Sequence, residues 1–303
     1  MLLNQQRMAH FRLPSRPTIR YYLPTTFPRQ SVIPPPDHKP NAFTLIELVV
    51  VIAIIAVLTA FLVPAFTNLK GANDLTNAAY TVKGVLEQAR TYARVNNTYA
   101  WVGFYEENGA IVSTNPPTPG SGRLVLSSVA SLDGTTVYGA TPGAIDPAKL
   151  VQVTRLIKVE NLHLPLLAIG TGTGDTFDAR PALQFEPTAG YNYARFGELN
   201  AASPNTAPYT NSQFPFQYPV GNPAPTAQYT FWKTLQFSPR GESRINGNNY
   251  DVRRVVEIGL LQTRGSAVPT ATSGAGTSTA SYKGNVIAIQ ISGLGSIVKL
   301  YRR

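Results

Sequence analysis

Residues Phe43 to Phe66 read FTLIELVVVIAIIAVLTAFLVPAF, an apolar run interrupted near its start by one carboxylate, Glu47. A stretch this apolar constrains the chain more than any other feature, because it must be covered by lipid or by other helices. Phe43 to Val63 is 21 residues. As a helix that is about 31 Å at 1.5 Å per residue, enough for a hydrocarbon core of roughly 30 Å. Val and Ile dominate and would also suit a buried strand, but strands of this length are rare and lipid satisfies no strand edge. Glu47 is the anomaly. A charge in mid-bilayer costs roughly 2.5–3.5 kcal/mol on insertion scales, so a retained carboxylate calls for a partner.

Flanking charge sets an orientation. Before Phe43 stand Arg7, Arg12, Arg16, Arg20, Arg29 and Lys39 against Asp37 alone. The twenty residues after Phe66 offer Lys70 and Lys83 against Asp74. The excess of positive charge keeps Met1–Ala42 in the cytoplasm and exports the rest. That first segment is basic and Pro-rich, with Pro34, Pro35 and Pro36 in a row and no helical period, and it reads as disordered. A start at Met8 is equally compatible with it.

The string Ala42-Phe43-Thr44-Leu45-Ile46-Glu47 resembles the cleavage and methylation motif of type IV prepilins and type II secretion pseudopilins. Pro64 falls at the twenty-second position from Phe43, where pilin helices commonly carry a kinking proline. The resemblance implies that a prepilin peptidase cuts after Ala42 and that the new Phe43 amine is N-methylated. It implies further that Glu47 pairs with such an amine during assembly with other pilin or pseudopilin subunits. The sequence departs from the pattern in two places: Ala42 stands where Gly is usual, and the leader is long. Two plainer readings compete: a signal anchor whose Glu47 snorkels to the membrane face, and a signal peptide cut between Ala65 and Phe66. Neither accounts for the Phe-Thr-Leu-Ile-Glu string after a small residue.

Composition narrows the chemistry. The chain carries a net charge of +10, but the leader holds six basic residues and one acid, so its removal leaves +5. Half the basicity is therefore leader, so it argues only weakly for nucleic-acid binding and no nucleic-acid partner is expected. There is no cysteine, which excludes disulfides, zinc–thiolate sites and thiol catalysis. Past Ala42 the one histidine is His163, read as a packed residue at a strand end, so neither a metal pair nor a catalytic triad is expected. No cofactor is implied. Gly170-Thr171-Gly172-Thr173-Gly174-Asp175 lacks the Lys-Ser/Thr of a phosphate loop, and Asp175, Asp178 and Glu186 fit no calcium loop. Both read as solvated turns.

The expected fold class is α+β, pilin-like: a long N-terminal helix, membrane-spanning in its first half, packed on an antiparallel β-sheet head. The expected divisions are a leader over 1–42, a membrane half of the helix over 43–66 and an exported half over 67–96. The head follows over 97–303. Leu75, Ala78, Ala79, Val82, Leu86, Ala89 and Ala93 recur at three- and four-residue spacing, and Asn96-Asn97 is a reasonable stop. Strands are expected over Thr98–Tyr105, Leu124–Val129, Leu150–Val159, Ala182–Phe185, Thr234–Phe237, Val255–Gln262, Asn285–Ser292 and Ser296–Tyr301. The last two would be joined through Gly293-Leu294-Gly295. Phe237-Ser238-Pro239-Arg240-Gly241 and Gly295-Ser296-Ile297-Val298 resemble segments of the minor pseudopilins typified by the H component of type II secretion.

Residues 187–232 hold ten aromatics against two charges, Arg195 and Glu198, and six prolines between Pro204 and Pro225 forbid long regular elements. The favoured reading is an insertion whose aromatics lie on the sheet; a glycan or partner grip is the other. Function therefore reads as a structural minor subunit at the bacterial inner membrane, in a secretion pseudopilus or a type IV pilus, and not an enzyme. A glycan- or DNA-binding module on a pilin-type anchor, or an anchored hydrolase, stands as the alternative.

Overall fold

The computed structural model describes residues 43–139, 141–183, 194–196, 213–245, 252–273, 281–282 and 285–303, with backbone alone over 61–72, 196, 271–273 and 281. The chain divides into two compact units, Met1–Ala56 and Val57–Arg303. One helix, α1, runs Leu45–Val95. A 3₁₀ turn stands at Pro147–Lys149. The strands are β1 Ala100–Asn108, β2 Gly122–Ser131, β3 Leu150–His163, β4 Arg195–Phe196, β5 Phe216–Tyr218, β6 Tyr229–Phe231 and β7 Lys233–Phe237. They continue with β8 Ser243–Ile245, β9 Val255–Gln262, β10 Ala271–Ser273, β11 Ser281–Tyr282, β12 Val286–Ser292 and β13 Val298–Arg302.

The end of α1 follows from its residues. Asn97 takes the left-handed conformation at φ 49°, and the Thr98 N–H reaches back to the Ala93 carbonyl at 2.9 Å. The Asn96 side chain donates to the Tyr92 carbonyl at 3.1 Å, so the last turn's carbonyls find donors. Every helix position expected to face the head is buried: Leu75, Ala78, Ala79, Val82, Leu86, Ala89 and Ala93, joined by Val85. Four alanines among them let the helix lie close to the sheet. Each of the larger side chains contributes roughly 1.5–3 kcal/mol by leaving water.

The main sheet has the order β13-β12-β9-β3-β2-β1-β7-β8 among the described residues, with β4 added parallel to β9. Its other pairings are antiparallel. β3 joins β9 through only two residue pairs, Leu162 with Gln262 and His163 with Leu261, so the sheet is two halves meeting at the end of β3. Its far ends also approach each other. The Ser243 N–H on edge strand β8 donates to the Gly293 carbonyl at 2.9 Å, in the β12–β13 turn.

Alternation along the strands explains what each face covers. On β1, Ala100, Val102 and Phe104 join the α1 cluster, together with Leu124 and Leu126 of β2, Ile258 of β9 and Ile289 of β12. Trp101 and Tyr105 point the other way into an aromatic layer with Phe214, Phe216, Tyr229 and Phe231. Tyr138 stacks on Phe214 at 4.5 Å and Phe216 lies 4.9 Å from Phe231, distances typical of favourable ring pairs. Phe214, Phe216, Tyr218, Tyr229 and Phe231 of the Pro-rich region thus roof the sheet; Tyr191, Tyr193, Glu198, Tyr209 and the Phe196 side chain lie outside what is described.

Gly103 makes that roof fit. A Cβ there would sit 2.5 Å from Phe231 Cγ and 2.6 Å from Phe216 Cζ. Gly103→Ala is expected to lift the β5–β6 hairpin off β1 and destabilise the head by about 1–3 kcal/mol. In a 150–250-residue domain that is a Tm loss of roughly 3–10 °C. Thermal unfolding followed by circular dichroism checks it, and an unchanged Tm refutes the packing argument.

Several expectations shift. β1 starts later and runs on to Asn108, and β2 and β3 are longer at both and one end respectively. Ala182 and Leu183 are not in a strand, and no ladder joins them to a neighbour among the described residues; residues 184–185 lie outside the described residues. Val255–Gln262 is a strand as expected. The β12–β13 connection is longer than three residues: Ser292 N–H bonds the Ile297 carbonyl at 3.0 Å, and pairing resumes at Val298. Among the described residues no helix is long and apolar enough to cross a membrane. The apolar stretch described with side chains, Leu45–Ala60, falls short of the roughly 20 residues a span requires. Residues 61–63, which complete the run, and Pro64 lie where side chains are not described.

Candidate processing and assembly site

Helix α1 begins with a reciprocal cap. The Thr44 N–H and the Thr44 hydroxyl both donate to Glu47 Oε2, each at 2.9 Å, and the Glu47 N–H donates to Thr44 Oγ1 at 3.2 Å. This is a capping box, in which residues three apart satisfy each other's otherwise orphaned backbone donors. The carboxylate also sits in the first turn, where the helix dipole favours negative charge. The Thr-Leu-Ile-Glu spacing before an apolar run is a legible signature of this box. Within the described residues Glu47 therefore has an intrachain partner one turn away, Thr44.

The geometry leaves capacity for more. Both Thr44 bonds fall on Oε2, and among the described residues none falls on Oε1. A carboxylate has about four acceptor sites, so a cation can bind Oε1 without opening the cap. Around it the side chains are bare: Phe43 is 85% exposed, Leu45 81% and Ile46 67%. Leu48 to Leu58 remain exposed in the same way. An isolated apolar helix face of this extent marks a surface built for lipid or for another helix. Ala42 lies outside the described residues.

Several of the head's charges are buried. Glu106 on β1 accepts from His163 Nδ1 at 2.6 Å, at the end of β3, and from Lys233 Nζ at 3.0 Å on β7. All three are almost completely buried. Burial by itself would raise the Glu106 pKa, but the His163 and Lys233 charges and hydrogen bonds outweigh it and lower it to about 2. His163 is thus the packed strand-end residue expected.

The neighbouring Glu107 points to the opposite face. It accepts from the Tyr229 hydroxyl at 2.6 Å, from Lys158 at 3.1 Å and from Arg123 at 3.1 Å. Burial, then Glu107 and Tyr229, push the nearby Tyr105 phenol up to about 12, so it stays neutral. A third buried carboxylate, Glu257 on β9, takes Arg180 Nε at 2.6 Å and Gln290 at 2.9 Å. Arg180 also donates to the Phe177 carbonyl at 2.6 Å and stacks 4.4 Å over its ring. That set fastens the crossing segment 164–183 onto the sheet. Each of these carboxylates is held by cations inside the protein, an arrangement that fixes strands.

The glycine-rich turn behaves likewise. Its Thr171, Gly172, Thr173 and Gly174 N–H groups all bond carbonyls of residues 178–180, leaving no donors to cradle a phosphate. Asp175 is exposed, and among the described residues no three His, Asp or Glu side chains form a metal set. Glu186 lies outside the described residues.

The fold also joins two segments that the sequence presented separately. Phe237 closes β7, and the Ser238–Gly241 turn meets the β12–β13 turn, where the Ser296 hydroxyl donates to the Gly241 carbonyl at 2.8 Å. Arg90 of α1 donates to the Gly295 carbonyl at 2.8 Å.

Residues 38–63 match the family described as the prokaryotic N-terminal methylation motif. The chain therefore carries a prepilin-type amino terminus, the processing signal of type IV pilins and pseudopilins, at the site just described. No solved structure matches the chain.

Proposed function

We propose that this protein is a minor pilin or pseudopilin subunit, closest in kind to the H-type minor pseudopilins. The carrying observation is the methylation-motif match over 38–63, on a helix whose apolar side chains stand uncovered. The run from Phe43 to about Val63 anchors it in the inner membrane, with Met1–Ala42 cytoplasmic and the head exported. A prepilin peptidase cuts between Ala42 and Phe43 and the new Phe43 amine is methylated, which keeps its positive charge. In a growing pseudopilus or pilus that amine pairs with Glu47 of a neighbouring subunit. Two groups that are costly in an apolar setting then compensate each other and set axial register. The free Oε1 supports this reading, since it lets Glu47 hold its own cap and a neighbour's amine together. Pro64 would adjust the helix where the anchor passes into the head-bearing half.

Coexpression with a prepilin peptidase tests it. Cleavage is expected to remove Met1–Ala42, roughly 5 kDa, and to expose Phe43 as the new amino terminus. Ala42→Gly should cut faster and a bulky residue at 42 should block the cut, because the scissile bond needs a small neighbour. Intact-mass analysis showing a start at Phe66, or no cleavage, would refute the reading.

A further inference from the structure

The β12–β13 turn is rigid and presents two large aliphatic side chains to solvent. Leu294 is 71% exposed and Ile297 58%. Such exposure is ordinary at a loose loop tip, but this backbone is pinned from several sides. Arg90 and the Ser243 N–H hold the Gly295 and Gly293 carbonyls at 2.8 and 2.9 Å, and the Ser296 hydroxyl holds the Gly241 carbonyl at 2.8 Å. Ser296 itself is buried and left-handed at φ 51°. Ordering entropy at the turn is thus already lost in the free protein, which is how a binding surface gains affinity.

Beside the turn opens a cleft of about 240 Å³, on the face of β9, β12 and β13 turned away from α1. Val255, Ile297 and Tyr301 give it apolar walls, and Arg254 and Lys299 stand at its rim. Among the described residues no carboxylate pairs with Arg254. Among the described residues Lys299 pairs with Asp175 alone, at 3.9 Å with both side chains well exposed, a pair that water largely screens. An apolar cleft with Arg254 and a weakly paired Lys299 beside fixed aliphatic knobs asks for a ligand that is both acidic and apolar.

We propose that this face docks an acidic, leucine-bearing segment of a partner protein, its carboxylates on Arg254 and Lys299 and its aliphatic side chains against Leu294 and Ile297. Charge complementarity gives the sign of the partner, and the apolar walls give its second requirement. A polyanion without apolar groups would satisfy only half of the surface.

Fluorescence anisotropy on the full chain in detergent tests this with three labelled twelve-residue peptides: a Glu-Leu-Asp repeat, its Lys-for-acid counterpart and its Ser-for-Leu counterpart. Binding of the first is expected, weakened about tenfold or more by loss of either chemistry. Arg254→Glu with Lys299→Glu, and separately Leu294→Ser with Ile297→Ser, should each weaken it to a similar degree. These positions are on the surface, so both variants should keep the parent Tm. Binding that ignores the charge-reversal pair, equal binding of the Lys peptide, or none up to about 1 mM overturns the proposal. So does tighter binding of a single-stranded oligonucleotide. Self-association of the chain that Leu294→Ser abolishes, without peptide binding, would also overturn it by making the face an interface between copies.

Discussion

Glu47→Val is expected to be exported and cleaved like the parent chain yet to be recovered in filaments at a tenth or less of the parent level. The substitution makes the membrane segment more apolar and leaves Ala42 and Phe43 untouched, so insertion and processing have no reason to fail. Assembly does. The neighbour's Phe43 amine would enter an apolar helix bundle without its partner, and unpairing a buried charge costs about 3–5 kcal/mol. The capping box supplies the control. Glu47→Val also releases the Thr44 N–H, so lost assembly could reflect a frayed helix start. Thr44→Ala opens the same cap but keeps the carboxylate, at a typical cost of about 1 kcal/mol. If the amine pair matters, Thr44→Ala assembles nearly normally and Glu47→Gln falls between it and Glu47→Val. Equal recovery of Glu47→Val and parent, by shearing or crosslinking, would reduce Glu47 to a helix cap on an anchor.

The second large effect lies in the head. Glu106→Gln is expected to destabilise it by about 3–5 kcal/mol, because the Lys233 ammonium, 0% exposed, loses the charge that compensates it. The loss lands where the two halves of the sheet meet, since His163 pairs with Leu261 across the two-residue junction and bonds Glu106 from the same position. Glu106→Leu with Lys233→Met should recover most of the stability, as an apolar pair often replaces a buried ion pair without penalty. Recovery no better than in Glu106→Gln would show that shape, and not charge, holds the site. Linkage gives an independent reading. The folded Glu106 pKa, about 2, lies below its ordinary 4.5, so the contribution is complete above pH 4.5. It is lost as the pH falls toward 2, and in Glu106→Gln that part of the acid sensitivity should disappear from chemical-denaturation curves.

Much of this was legible residue by residue. The three- and four-residue recurrence from Leu75 to Ala93 marked the buried helix face, and β-branched runs between turn residues marked β7, β9 and β12. These signals are local: helical and strand periods, and the tolerance of Asn for a left-handed stop, act within a few residues. The capping box is equally local, resting on Thr44 and Glu47 three residues apart ahead of an apolar run. Ala182 and Leu183 stand outside any strand because apolar content says nothing about whether a ladder partner is within reach. The joining of Ser238–Gly241 to Gly293–Ile297 had no signal at all, since hydrogen bonds between distant turns leave no period.

The amino-acid sequence by itself carried the methylation motif over residues 38–63, with Phe43, Thr44 and Glu47 ahead of an apolar run, a linear pattern that is complete without tertiary context. It also determined the buried stripe of α1. Only the tertiary structure decided where the charges went. Glu106 and Glu107 are adjacent in sequence, yet the pleat sends them to opposite faces, one to His163 and Lys233 and the other to Arg123, Lys158 and Tyr229. Strand order alone brings those partners together, and strand order is a global property: it depends on which pairings bury most apolar surface at once.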